Sequence, residues 1–147
     1  MSYIGTRDEY KKRLEKNEIG NDLDNCPFCN ILKKSEEIIW EWNHWYIVYN
    51  IFPYTGNSQH IMAIPKSHIW YASEINSETW SEFGEVQRMV ARFFEKNEYF
   101  SCTRETLSGR SMEHYHIHFL PGTLKWKFLR KMLEMQGFPI KQELILN

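Results

Sequence analysis

Two periods of hydrophobic positions run through the chain. Between Glu78 and Lys96, Trp80, Phe83, Val90, Phe93 and Phe94 recur at helical spacing. That spacing predicts a long helix with one face in a core, capped by Asn76 or Ser77. Ile38-Ile39-Trp40-Glu41-Trp42 and Trp45-Tyr46-Ile47-Val48-Tyr49 are aromatic and β-branched, and Asn43-His44 between them has the length of a tight hairpin. A loop with Pro53 and Gly56 leads to a third strand, His60-Ile61-Met62-Ala63-Ile64, ended by Pro65. Tyr99 to Arg104 reads as a fourth strand with Cys102 in the core, and Glu105 to Arg110 as a loop containing Gly109. A fifth strand starts at His114 and stops at Pro121-Gly122. Leu124 to Gln136 is a final helix, closed by Gly137 and Pro139, that packs Trp126, Leu129 and Leu133 inward and solvates its lysines. The competing reading of that helix is a basic, aromatic surface for a polyanion.

The N-terminal part differs in character. Thr6-Arg7-Asp8-Glu9 has the form of a capping box and starts a charged helix to Lys16, with Tyr10 and Leu14 on one face. Glu18 to Asn25 reads as a linker, and Pro27 to Lys34 as one or two helical turns. Residues 1–25 are then an appendage docked on a domain spanning 26–147, whose tail from Ile140 fits a short strand or none. Strands joined by a hairpin and long loops, with one long and one shorter helix, predict an α+β domain with helices packed on an antiparallel sheet.

Composition narrows the function classes. The chain has 147 residues, one domain's worth, and 16% of them are aromatic. With 18 basic and 19 acidic residues, it lacks the charge excess of a strongly electrostatic nucleic-acid binder. No apolar run reaches the roughly 18 residues of a membrane span, and the first residues lack a signal peptide's apolar segment, so a cytoplasmic protein is expected. Three cysteines, two of them in Cys26-Pro27-Phe28-Cys29, do not make a disulfide framework; in a reducing compartment the pair suggests metal or redox chemistry.

Half of the six histidines fall in Ser111-Met112-Glu113-His114-Tyr115-His116-Ile117-His118. On a strand, His114, His116 and His118 would point one way, about 6.6 Å apart along the axis, and Tyr115, Ile117 and Phe119 the other way into a core. Neutral imidazole is a competent nucleophile toward phosphorus, with a reference pKa of about 6.5. Crowding disfavours charging all three rings, so one can attack while a neighbour keeps its proton and steadies a phosphate. The loop Ser108-Gly109-Arg110-Ser111 can offer backbone N–H groups to an anion, with Gly109 allowing close approach, Arg110 adding charge and the Ser111 hydroxyl relaying a proton. The bland reading is a histidine-rich edge strand after a polar turn.

His114-Tyr115-His116-Ile117-His118-Phe119-Leu120 resembles the histidine triad pattern His-x-His-x-His-x-x. Asn50-Ile51-Phe52-Pro53-Tyr54 and His60 to His68 resemble the family's strand–loop–strand segment, and Cys26-Pro27-Phe28-Cys29 stands where many members carry Cys-x-x-Cys. The resemblance runs from Cys26 to Gly122. It implies a five-stranded antiparallel α+β fold, usually homodimeric with a joined ten-stranded sheet, and nucleotide hydrolases or transferases acting at the α-phosphate. It gives His116 the nucleophile's role, His118 the phosphate and leaving-group oxygens, Ser111 a hydrogen bond near the leaving group, His60 the place beside the phosphate, and Asn50 the ribose hydroxyls. The uridylyltransferase branch has Gln for the third histidine, so His118 favours hydrolysis. Where many members carry Asn or Gln on the strand before the triad, this chain has Thr103, with Arg104 beside it. The Phe-Pro-Tyr wording looks more like that of the dinucleoside polyphosphate enzymes.

Zinc-containing relatives imply a metal set of Cys26, Cys29, His68 and His114, structural in role. The alternative is a redox pair, or two core thiols. A catalytic zinc on His114, His116 and His118 would need one straight strand to bring together donors spread over about 13 Å. A zinc-stabilised nucleotide-binding or interaction module with little turnover is the alternative to a hydrolase.

Overall fold

The computed structural model describes residues 7–16, 26–30, 37–54, 59–105 and 112–137. They form, in chain order, α1 (Arg7–Glu15), β1 (Ile38–Glu41), β2 (Trp45–Tyr49), β3 (Ile61–Pro65), a 3-10 turn (Ala72–Glu74), α2 (Ser77–Phe94), β4 (Tyr99–Cys102), β5 (Ile117–Pro121) and α3 (Trp126–Met135). The capping box at Thr6, the linker, the rest of the turn after Asn30, Gly56, the Gly109 loop and the C-terminal tail lie outside the described residues.

The five strands form one antiparallel sheet in the order β1-β2-β3-β5-β4. The Asn43-His44 turn is fastened to α2, because Glu82 accepts the N–H groups of both residues, at 3.1 and 2.7 Å. Asn76 rather than Ser77 caps α2, its side-chain oxygen accepting the Thr79 N–H at 2.8 Å.

Strand alternation gives the sheet two different faces. Trp45, Ile47, Ile61, Ala63, Ile117 and Phe119 turn to one side and bury Val86, Val90 and Phe94 of α2. Each of the larger side chains, Ile, Val and Phe, contributes about 1.5–3 kcal/mol by leaving water. The Trp45 indole also donates to the Thr79 carbonyl at 2.9 Å, which fixes the helix along the strand. Tyr46, Val48, Met62 and Ile64 turn to the other side, against Phe28 and Ile38. Met62 stands opposite His118 in the β3–β5 register, so His118 belongs to this second face.

Three expectations are corrected. The histidine strand begins at Ile117, not His114: Glu113 and His114 lie in a bend, and the Tyr115 N–H leaves the ladder to donate to the Ile69 carbonyl at 2.7 Å. Cys102 is exposed rather than core, because β4 is an outer strand and Cys102 faces away from α2. Trp126 is 65% exposed, since it stands on the first turn of α3, where the chain leaves the sheet; Leu129 and Leu133 are half-buried. The apolar positions Tyr115, Ile117 and Phe119 do enter the core. Among the described residues no helix is long and apolar enough to cross a membrane.

Candidate functional site

The bend before β5 sends the three triad histidines to two neighbouring places on the second face. All three are buried.

His114 turns toward the Cys26–Asn30 turn, which is closed by an Asn30 N–H to Cys26 carbonyl bond of 3.2 Å. Its Nε2 lies 2.8 Å from the carbonyl of Pro65, at the end of β3. A carbonyl only accepts, so Nε2 carries the proton and Nδ1 the lone pair. Nδ1 is 3.5 Å from the sulfurs of both Cys26 and Cys29, and His68 Nδ1 is 3.1 Å from Cys29 Sγ. The four donor atoms lie within 4.8 Å of one another and could hold a metal ion. Burial, aided by Cys26, pushes the Cys29 thiol up to about 12, and burial draws His114 down to about 4.

His116 is held differently. Its Nδ1 lies 2.7 Å from the carbonyl of His114, so Nδ1 carries the proton and Nε2 the lone pair. The Thr103 hydroxyl donates to the His116 carbonyl at 3.1 Å. Phe28, from between the two cysteines, packs edge-on against both His114 and His116, with ring centroids 5.7 and 5.1 Å away.

His118 closes a relay of hydrogen bonds. The backbone N–H of Tyr54 points at His60 Nδ1 at 3.3 Å, so this nitrogen accepts and the proton of a neutral His60 is on Nε2. That Nε2 is 2.9 Å from His118 Nδ1 and donates to it. The proton of a neutral His118 is therefore on its own Nε2, 3.1 Å from the Tyr54 hydroxyl oxygen. Arg104 Nη2 donates to the same oxygen at 2.7 Å. The rings of His116 and His118 are 4.8 Å apart, which sets an imidazole lone pair beside an imidazole N–H. Such a pair can attack an electrophile and, with His118 charged as imidazolium, protonate what departs from it.

Asn50 closes the end of β2. Its side-chain oxygen accepts the Phe52 N–H at 2.9 Å, its amide nitrogen lies 3.3 Å from both ring nitrogens of His60, and its N–H donates to the His60 carbonyl. Of the positions singled out in the sequence, Cys26, Cys29, His68 and His114 converge on one point, and His60, His116 and His118 on the other with Asn50 behind them. Thr103 reaches the His116 backbone. Gly109, Arg110 and Ser111 lie outside the described residues. Sequence reasoning gave no individual role to Tyr54 or Phe28 and offered Arg104 only as an alternative to Thr103 in replacing the usual amide. The Phe-Pro-Tyr wording was the one available signal for Tyr54.

A five-stranded antiparallel sheet with one long helix across a face and the histidine bend on the other is the histidine triad fold. Residues 13–126 match the family described as "Protein similar to CwfJ C-terminal", and the chain belongs to that family. Among solved structures, a HIT family hydrolase from Clostridium thermocellum is 26% identical, with a TM-score of 0.57 over 69% of this chain and 94% of its own. A hypothetical protein from Leishmania major has a TM-score of 0.60 at 18% identity, covering 79% of this chain and 96% of its own. A histidine triad nucleotide-binding protein from Candida albicans has a TM-score of 0.56 at 19% identity, covering 76% and 94%. The last two, at such identities, speak for the fold alone. No curated protein matches the chain.

Proposed function

We propose that the protein is a nucleotide-binding hydrolase that cleaves at the α-phosphate of a nucleoside polyphosphate or phosphoramidate through a nucleotidyl-His116 intermediate. The observation that carries the reading is the pairing of protonation states: His116 holds its proton on Nδ1 against the His114 carbonyl, and His118 holds its proton on Nε2. The His116 Nε2 lone pair forms a bond to phosphorus. The bond from phosphorus to the leaving group breaks, and that group takes the electron pair and the Nε2 proton of His118, which enters the step as imidazolium and leaves it as neutral imidazole. Water then attacks the same phosphorus, returns one proton to His118 and releases a nucleoside monophosphate and free His116. His60 feeds the relay behind His118. Asn50 holds the ribose hydroxyls, Ser111 assists the leaving group, Gly109 and Arg110 cradle the phosphate, and Thr103 keeps the His116 backbone in place for the nucleotide.

The metal in this reading is a structural zinc on Cys26, Cys29, His68 and His114. Tetrahedral zinc with Zn–S near 2.3 Å and Zn–N near 2.05 Å has a sulfur-to-nitrogen edge of about 3.6 Å. The sulfur-to-nitrogen distances of 3.5, 3.5 and 3.1 Å support that fit. Bound there, zinc supplies folding energy and thiolate neutralisation. The chain's own contribution is the His114 carbonyl, which orients His116. The same reading has a cytoplasmic homodimer that pairs two sheets through β4, an outer strand of the sheet among the described residues.

One observation favours the second reading, a binding module with little turnover: the Tyr54 hydroxyl stands on the His118 nitrogen that should protonate the leaving group. Rapid quenching with α-32P-labelled diadenosine tetraphosphate or adenosine 5′-phosphoramidate separates the two. The hydrolase reading expects label on the peptide containing His116 and none in His116→Ala. Full turnover in His116→Ala rules out the nucleophile assignment, and tight nucleotide binding without adduct or turnover selects the module.

A further inference from the structure

Arg104 is an exposed guanidinium held over the aromatic face of Tyr54, its central carbon 5.8 Å from the ring centroid. Among the described residues it forms no ion pair with a carboxylate. Its neighbour Glu105 is turned away and accepts the Ala72 N–H at 2.6 Å. Arg88 and Arg130, by contrast, are paired with Glu85 and Glu134. A guanidinium with no carboxylate partner among the described residues thus stands within one hydroxyl of His118. The Tyr54 oxygen occupies the place where an acceptor meets the His118 Nε2 proton, and Arg104 donates to that same oxygen.

We infer that Tyr54 and Arg104 form the leaving-group subsite and make the enzyme selective for leaving groups that are themselves phosphates. The inference rests on the hydrolase reading for which atom departs. The departing atom is the one that receives the His118 proton, so it arrives where the Tyr54 oxygen now sits, in reach of Arg104. A departing phosphate brings further anionic oxygens to a forked donor that matches their geometry. A departing amine brings none. The substrate class is therefore nucleotides with a polyphosphate on the departing side, in preference to phosphoramidates.

The test uses Arg104→Gln in the full-length, metal-loaded protein, with Arg104→Lys as the charge-retaining control. Calorimetric titration with inorganic tripolyphosphate, free of any nucleoside, should show about tenfold weaker binding in Arg104→Gln, the scale of one lost charge-assisted hydrogen bond. Arg104→Lys should fall between. Binding of adenosine monophosphate, which lacks the departing side, should change much less. In turnover, the ratio of kcat/KM for diadenosine tetraphosphate over adenosine 5′-phosphoramidate should drop in Arg104→Gln by a similar factor. The inference is overturned if the unaltered protein does not bind tripolyphosphate, if Arg104→Gln binds it as tightly, or if both substrates lose rate equally. Arg104-dependent tripolyphosphate binding in a protein that never labels His116 would keep the subsite and remove the hydrolase reading. An unchanged substrate ratio with normal labelling would do the reverse.

Discussion

His114 and His116 are two residues apart and both buried, yet they present opposite nitrogens to their surroundings. His114 gives its Nε2 proton to the Pro65 carbonyl and turns Nδ1 toward two sulfurs. His116 gives its Nδ1 proton to the His114 carbonyl, which leaves Nε2 as the basic atom beside His118. The difference is set by the nearest backbone carbonyl, which fixes the tautomer and thereby the role. The lesson is that a run of identical side chains becomes two sites once the backbone bends between them. It also couples the sites, because the carbonyl that orients His116 belongs to the residue that faces the cysteines.

The sharpest way to test that division is to truncate each ring in turn. His116→Ala should lower turnover by more than about a thousandfold, the usual consequence of removing a nucleophile, while metal content stays near that of the unaltered protein. His114→Ala should lose the metal, strand the Pro65 carbonyl and open a cavity, at a stability cost of about 3 kcal/mol or more. Elemental analysis and denaturant titration of both variants check this. Metal loss in His116→Ala, or full metal retention in His114→Ala, would erase the distinction between the two places.

The next test is acid. Burial draws His114 to about 4 from an ordinary value of 6.5. In metal-stripped protein the unfolded chain therefore binds the proton first as pH falls. The stability that His114 contributes is complete above about 6.5 and is lost progressively down to about 4, a total of about 3 kcal/mol. Denaturant midpoints of the stripped protein between pH 7 and 4 should show this slope, and stripped His114→Ala should lose that part of it. With metal bound, the proton must first displace the ion, so the loss should coincide with metal release. A stripped His114→Ala protein with the same slope as its parent would place the titration elsewhere.

How much of this was legible in the chain depended on whether a contact leaves a periodic trace. The face of α2 did, because Val90 and Phe94 recur at helical spacing against a sheet of aromatic and β-branched residues. The metal cluster did too, through the Cys26-x-x-Cys29 spacing, although only the fold brings His68 and His114 to it. The relay did not. Tyr54 and Arg104 are 50 residues apart, and they meet only because β3, β5 and β4 lie side by side. The start of β5 was misplaced for a related reason: alternation of His with apolar residues continues through the bend, while the Tyr115 N–H has already left the ladder for Ile69. Thr103 shows the same limit, since a hydroxyl bonded to a distant backbone carbonyl has no sequence signature.

Thr103 also supplies the finest test of the comparison. Its hydroxyl donates to the His116 carbonyl and is in contact with the Tyr115 hydroxyl, whose proton affinity is raised by burial and partly relieved by that contact. Thr103→Val keeps the shape and deletes the oxygen. One neutral hydrogen bond is lost, so stability should fall by about 1 kcal/mol. The His116 backbone is then less firmly placed, while the Pro65–His114–cysteine contacts are untouched. The expected outcome is a reduction in kcat of a few fold to about tenfold with unchanged metal content, because a displaced nucleophile loses rate steeply even when the fold is intact. Thr103→Ser, which restores the oxygen, should recover most of the rate. Metal loss in Thr103→Val would show that the hydroxyl serves the cysteine side of the bend. Failure of Thr103→Ser to recover the rate would assign the effect to packing of the methyl group.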